Sequence, residues 1–451
     1  MYKGANLSRT ASAVAAIAIL TTFPFSTSYA TLSSVPMPAT ASQTEPESVQ
    51  AAAEQFSLAS KLLSKPSNPD ELKSGVIWME KAANQAYAPA LFELANFYEN
   101  GVHVKQDVSK AAKLYEQAAQ QGHVDAQFNL GVLYLQAPAD FKKARYWLEK
   151  AAQQKDAAAQ YNLALIYDTP ESGFADAAEA THWFTQSAQN GHKDAQFDLG
   201  VRYLKGTALP LNLSQAVYWF RRAAEQNDAA AAFNLALLYE DGKGIEKSLD
   251  KAIYWYRKAA QQGEAGAQYN LGIKYLLGEG VTQDETKAVE WIRKAAEGNN
   301  PAAQYTVGFM YDQGVDFPKD LEMALYWYRQ SAEQQYPDGQ FALAQMLSTG
   351  QGVPQDATEA IQWLKKAAER GHIPAQFNLG TYMAHGIGTA KDLPKAAFWL
   401  SRAAAQGHEN AIANRDYVLQ LLTQNERDEL TRELELLNKP AATQDKHAAI
   451  R

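Results

Sequence analysis

Apolar and small residues recur along this chain with a helical period set inside a longer one. In the segment DAQFNLGVLY, residues 125–134, Ala126, Leu130, Gly131 and Tyr134 are spaced so that they share one face of a helix. The segment returns in altered form, and its leucine defines a register: Leu58, Leu94, Leu130, Leu163, Leu199, Leu235, Leu271, Val307, Leu343 and Leu379. Eight of the nine intervals are 36 residues, and the one from Leu130 to Leu163 is 33. A second pattern keeps the same period. All nine tryptophans (Trp78, Trp147, Trp183, Trp219, Trp255, Trp291, Trp327, Trp363 and Trp399) stand four residues before the Ala or Ser of a KAA-like segment, and Leu114 takes that place in the Leu94 repeat. Tryptophans held in so strict a register are core residues rather than scattered ligand-stacking rings.

Each period predicts two helices. The first is typified by DAQFNLGVLY, where the small Ala126 and Gly131 let a neighbouring helix come close. The second is typified by SLDKAIYWYRKAAQQG. It starts near Ser248 as N-cap, carries Ala252, Trp255 and Ala259 on one stripe, and ends at Gly263 as a left-handed C-cap. Gly278 and Gly280 reverse the chain between helices. One hairpin cannot bury its own apolar face, so consecutive hairpins must stack. The predicted fold is all-α: a solenoid superhelix of about ten stacked helical-hairpin repeats over residues 51–410, closed by a C-terminal capping helix at 411–437 with an apolar stripe of Leu430, Leu434 and Leu437. The tail, 438–451, is polar and expected to be disordered. The turns after Tyr134 (LQAPADFKKA) and Tyr167 (DTPESGFADA) lack the usual Gly-x-Gly-Val.

Length supports the array, since 451 residues exceed one ordinary core whereas a solenoid grows along one axis. The N-terminus changes the picture more. Lys3 and Arg9 precede an apolar stretch from Ala11 to Leu20, and Ser28-Tyr29-Ala30 offers small residues where signal peptidase reads. Residues 1–30 therefore read as a signal peptide and 31–50, rich in Ser, Thr and Pro, as a flexible linker. The stretch is about half of the roughly 20 residues that span a bilayer, so no stable membrane insertion is expected and the mature chain is placed in the periplasm or outside the cell. A net charge of -8 argues against a nucleic-acid partner. The absence of cysteine removes disulfides, thiolate metal sites, cysteine nucleophiles and a lipidated N-terminal cysteine.

The unit A-x-A-Q-F-N-L-G-x-x-Y-x-x-G-x-G-V-x-x-D-x-x-K-A-x-x-W-x-x-K-A-A-x-x-G resembles the Sel1-like repeat, a relative of the tetratricopeptide repeat. Its clearest copy, residues 265–298, runs through Leu271, Gly272, Tyr275, Gly278, Gly280, Val281, Asp284, Lys287, Ala288, Trp291, Lys294, Ala295 and Ala296. The resemblance implies an adaptor: a non-catalytic scaffold for protein–protein contact, in envelope regulation, exopolysaccharide export or contact with host cells. Its partner would be a protein or peptide, with a polysaccharide also open. A cysteine-rich subgroup has been proposed to act on β-lactams, and a cell-wall or β-lactam hydrolase is the alternative reading; this chain lacks that subgroup's cysteines.

With the anchor leucine at zero and about 100° per residue, the core direction of the first helix lies near 40°. The residue before the anchor falls near 260° and the residue two after it near 200°, both away from that direction. The first row reads Asn129, Asn162, Asp198, Asn234, Asn270, Thr306 and Asn378, with Glu93 and Ala342 as exceptions. The second reads Val132, Leu165, Val201, Leu237, Ile273 and Phe309, flanked by Asn96, Gln345 and Thr381. An amide row beside an apolar row suits an extended peptide, because Asn both donates to and accepts from a backbone. The resemblance to tetratricopeptide arrays implies that first helices line the concave face, which makes these rows the candidate partner-binding track. The opposing reading is plain packing: the apolar row between repeats, the Asn row in hydrogen bonds within the chain.

Catalytic chemistry finds little support. His123, His192, His372 and His408 each follow a Gly at the end of a second helix, one per unit, and are repeat positions rather than metal ligands. No H-E-x-x-H, G-x-S-x-G or complete S-x-x-K set occurs. Gly-x-Gly turns such as Gly350-Gln351-Gly352 follow no strand, so phosphate binding is not expected. The basic run Phe141-Lys142-Lys143-Ala144-Arg145 reads as a solvated helix face. No catalytic residue, metal or cofactor is assigned.

Overall fold

Each helix is punctuated by residues that the repeat supplies. In the computed structural model, which describes residues 47–64, 68–136 and 138–437, the described residues form 22 α-helices and no strand. Nearly all are 13 residues long, and they alternate between first and second helices of successive hairpins. Second helices open on short polar caps. Ser248 Oγ accepts from the Lys251 amide at 3.4 Å, and Asp284 Oδ1 from that of Lys287 at 3.0 Å. First helices close on glycine: Gly278 stands at φ 70° and Gly280, two residues on, at 71°, a region that residues with a Cβ rarely adopt. The array is an all-α solenoid of tandem hairpins. The described helices fall into two compact units that divide between Lys247 and Ser248.

Within either unit, a first helix packs most closely on the second helix of its own hairpin and then on the second helix before it. The close approach is made at the glycine after the anchor. A Cβ added to Gly200 would lie 2.7 Å from the Phe220 ring, and one on Gly272 would lie 2.7 Å from Ile292 Cγ1. The residue that fills this seam stands immediately after each tryptophan: Leu148, Phe184, Phe220 and Ile292 are wholly buried, as are their equivalents down the chain. Trp147, Trp219, Trp255 and Trp399 are buried too, whereas Trp78, Trp183, Trp291, Trp327 and Trp363 keep part of their surface in solvent. The tryptophans are packing residues, as their register predicts, but the deepest position is the next one.

Three expectations need adjustment. The helix Glu47–Ser64 begins inside the segment expected to be linker. In that helix the anchor Leu58 is 40% exposed, while Ala59 and Leu63 are buried in a core cluster with Met79 and Leu94. The C-terminal cap is two helices, Glu409–Leu421 and Gln424–Leu437, rather than one. The break is built locally: Leu422 is extended, and Thr423 and Glu426 form a capping box in which the Thr423 amide donates to Glu426 Oε2 at 2.8 Å and the Glu426 amide to Thr423 Oγ1 at 3.4 Å. Leu430, with Leu434 beside it, closes the cluster formed by Leu400, Val418 and Leu422. Finally, the two turns without Gly-x-Gly-Val end their helices differently. Val124–Leu133 stops early with Tyr134 right-handed, and after Ala157–Asp168 the buried hydroxyls of Thr169 and Ser172 donate to the carbonyls of Leu165 and Ile166, each at 2.8 Å.

The expected signal peptide, the linker up to residue 46 and the tail 438–451 lie outside the described residues. Among the described residues, no helix is long and apolar enough to cross a membrane.

Candidate partner-binding face of the first helices

A solenoid helix has neighbours on more than one side, and that decides where the two candidate rows sit. Ala157–Asp168 packs on its partner Ala177–Gln189, on Phe141–Gln153 before it and on the first helix Val124–Leu133. Asn162 on this helix is buried, as are Asn234, which is 2% exposed, and Asn270. Their amides are used within the chain. Asn162 Nδ2 donates to the Ala158 carbonyl at 2.9 Å, Asn234 Nδ2 to that of Ala230 at 2.8 Å, and Asn270 Nδ2 to the Tyr256 hydroxyl at 3.2 Å. Asn129, half-buried, donates to Asn96 Oδ1 at 3.3 Å and to the Tyr115 hydroxyl at 3.2 Å. Burial and the adjacent Glu99 carboxylate push the Tyr115 phenol far above its ordinary pKa, so it remains a neutral donor, to Glu99 Oε2 at 2.6 Å. Asp198 accepts from the Tyr161 hydroxyl at 3.1 Å, and Thr306 Oγ1 donates to the Ala302 carbonyl at 2.8 Å. Asn378 is partly exposed.

The apolar row divides in the same way. Leu165 and Val201 are buried; Val132, Leu237 and Ile273 are half-buried; Phe309 stands out at 45% exposure. The angular estimate for an isolated helix therefore misplaces Asn162, Asn234, Asn270, Leu165 and Val201. It gives the direction of a helix's own partner and carries no information on the helices that follow and precede.

A polar feature not anticipated from the sequence runs beneath this face. The glutamine of the AQF-like segment is buried at Gln127, Gln160, Gln196, Gln268, Gln304, Gln340 and Gln376. Each donates from Nε2 to a second-helix carbonyl eight residues earlier; Gln196 to Ala188 at 3.0 Å is representative. Its oxygen then accepts from an amide at the end of the next second helix, as Gln226 donates to Gln196 Oε1 at 2.8 Å and Gln406 to Gln376 Oε1 at 2.9 Å. Gln268 and Gln340 keep an unpartnered Oε1, and the residues at their donor positions are Gly298 and Arg370. The signal was present in the sequence as a glutamine at a fixed offset from the anchor.

The four repeat histidines are N-caps of first helices. Nδ1 of His123, His192, His372 and His408 accepts from the amide three residues on, at 3.1–3.3 Å. Each ring also packs on an aromatic ring of the preceding first helix, His192 on Tyr161 with centroids 4.5 Å apart. Burial holds His123 and His192 below the ordinary histidine pKa. Among the described residues, no three His, Asp or Glu side chains gather as a metal site.

A family model for the Sel1 repeat matches ten consecutive segments: 63–87, 88–123, 124–156, 157–192, 193–228, 229–264, 265–300, 301–336, 337–372 and 373–408. Among solved structures, the chain is similar to a protective antigen of uropathogenic Escherichia coli strains that displays an SLR fold, at 28% identity and a TM-score of 0.60, covering 84% of this chain and 90% of that one. It is also similar to a Sel1 repeat protein from Oxalobacter formigenes, at 30% identity and a TM-score of 0.55, covering 77% of this chain and 97% of that one. No curated protein matches the sequence.

Proposed function

The chain belongs to the Sel1 repeat family, and from that premise we propose that it is a non-catalytic scaffold acting outside the cytoplasm, which holds a protein partner along the face of its first helices. Sel1-repeat proteins generally mediate protein–protein interaction. The observation that carries the reading here is the unburied part of the apolar row: the stacked hairpins bury a core and still leave Phe309 exposed, with Ile273 half-buried one repeat earlier. In this proposal Val132, Leu237, Ile273 and Phe309 contact the partner's side chains, and Asn129, Asp198 and Asn378 meet its backbone. The buried Asn162, Asn234, Asn270, Leu165 and Val201 are packing residues and take no part in it. Export rests on Lys3, Arg9, the Ala11 to Leu20 stretch and the Ser28-Tyr29-Ala30 site. Similarity to a protein described as a protective antigen supports it.

Two measurements test this reading. Mature protein used as bait in an envelope extract should retain a partner that Phe309→Asp releases, with binding at least about tenfold weaker, roughly 1.4 kcal/mol. Melting temperature and circular dichroism of the variant should match wild type, because the side chain is exposed. Capture at full strength by the folded variant excludes this face. Mass spectrometry of the native protein should show a chain beginning at Thr31; an intact Met1 in a membrane pellet defeats the export reading.

A further inference from the structure

The second helices carry apolar surface that the fold does not use. The residue before each tryptophan turns away from the hairpin. Tyr218 is 46% exposed and Tyr254 51%, and each stands edge-on to the tryptophan behind it, with ring centroids 4.8 and 5.0 Å apart at 81°. Each tyrosine also walls a pocket. In the N-terminal unit, an open surface pocket of about 450 Å³ is lined by Tyr218, Arg221 and Arg222 together with Gly191, Glu225 and Gln226. In the C-terminal unit, an open surface pocket of about 440 Å³ is lined by Tyr254, Arg257 and Lys258 together with Asp250, Ile253, Gln261 and Gly280. The tyrosine and both cations occupy the same repeat positions in the two pockets, while the rest of the lining differs: the first reaches Gly191 at the end of the preceding second helix, the second Gly280 in the turn that follows.

Charge sets these two repeats apart. Arg221 donates to the Tyr239 hydroxyl at 2.9 Å, Arg222 to that of Tyr218 at 3.1 Å and Arg257 to that of Tyr275 at 3.4 Å. Lys258 Nζ lies 5.3 Å from the Tyr254 ring centroid. Hydroxyls and ring faces orient a cation without neutralising it. At the equivalent positions of the next repeats, carboxylates do neutralise it: Lys294 pairs with Glu290 at 2.7 Å, Arg329 with Glu359 at 3.2 Å and Lys365 with Glu369 at 3.9 Å. Glu290 and Gln362 also replace the tyrosine there. Two cation pairs beside exposed tyrosines, on a chain of net charge -8, are set against the prevailing charge.

We propose that each pocket binds an acidic side chain of an extended protein segment, the carboxylate received by the two cations and a neighbouring apolar side chain lying on the tyrosine ring. Arginine and lysine supply charge-assisted hydrogen bonds to a carboxylate, and the tyrosine supplies rigid apolar area at low entropic cost. The site lies on the second helices and stands whether or not the first-helix face binds anything.

A short fluorescein-labelled peptide of alternating glutamate and phenylalanine tests it by anisotropy, with the glutamine-for-glutamate peptide as control. The acidic peptide should bind, more weakly as salt is raised. Arg222→Gln with Lys258→Gln should weaken it at least about tenfold, and Tyr218→Ser with Tyr254→Ser similarly. Tyr326→Ser, in a repeat whose Arg329 is paired with Glu359, should leave binding unchanged, as should Phe309→Asp. Thermal melts establish that the variants, all at surface positions, are folded. Equal binding of the glutamine peptide, wild-type affinity in either double variant, or binding of an oligouronate where the peptide does not bind overturns the proposal.

Discussion

A single position in the second helix shows how far residue-scale reasoning reaches. Tryptophan recurs visibly, whereas the position after it varies among Met, Tyr, Leu, Phe and Ile and so hides from any search for identity. Yet that position is buried in every repeat and, where the first helix carries a glycine after the anchor, packs directly on it. Phe184→Ala should cost about 3–5 kcal/mol through lost burial and the cavity left behind. Trp183→Ala should cost less, because part of that ring already faces solvent. Hydrogen exchange of the amides in residues 157–189 would compare them directly; equal loss of protection in both variants contradicts the assignment.

The helix start is the element whose chemistry responds to pH. A histidine N-cap accepts through Nδ1, so it caps only while that nitrogen is unprotonated. Around His123 stands Asp125; around His192 stand Asp156, Asp194 and Lys193; burial outweighs them all and lowers both pKa values. In the unfolded chain these rings titrate near their ordinary value of 6.5. As pH falls through 6.5, the unfolded state takes up protons that the folded state refuses, and stability declines until the folded rings also protonate. The melting temperature should therefore hold above about pH 7 and drop below it. His123→Asn with His192→Asn, which retains a capping side chain, should flatten that drop; an unchanged slope refutes the cap as its source. His372 is left out of the pair because its Nε2 lies 3.5 Å from Asp338 Oδ1, a carboxylate that His372 in turn holds below its ordinary pKa.

At the scale of the whole molecule, each hairpin borrows burial from the next, so an end must be closed by something that is not a repeat. The helix Gln424–Leu437 does this at the C-terminus, through Leu430 and Leu434 against the cluster of Leu400, Val418 and Leu422. Ending the chain at Thr423 should expose that cluster and fray the final hairpins. Exchange protection should fall over residues 373–421 and remain at wild-type levels over residues 88–247, in keeping with a quasi-one-dimensional core. A loss spread evenly along the chain would contradict the solenoid energetics.

The sequence by itself determined the repeat, its period, the two helices of each hairpin and their caps, because all of these are local: a cap, a stripe and a turn glycine are each written within a few residues. Ser248, Gly278 and the nine tryptophans were legible for that reason. What the tertiary structure decided was which outward-looking positions remain outward. Asn234 and Val201 point away from their own hairpin partner and are nonetheless covered by neighbouring helices, while Phe309, on the same repeat position as Val201, is not. The pairing of Arg329 with Glu359 of the next second helix, set against the unpaired charge at Arg222 and Lys258, likewise arises only when side chains of neighbouring repeats are seen together. A helical wheel describes one helix, and burial in a stack is a property of its neighbours.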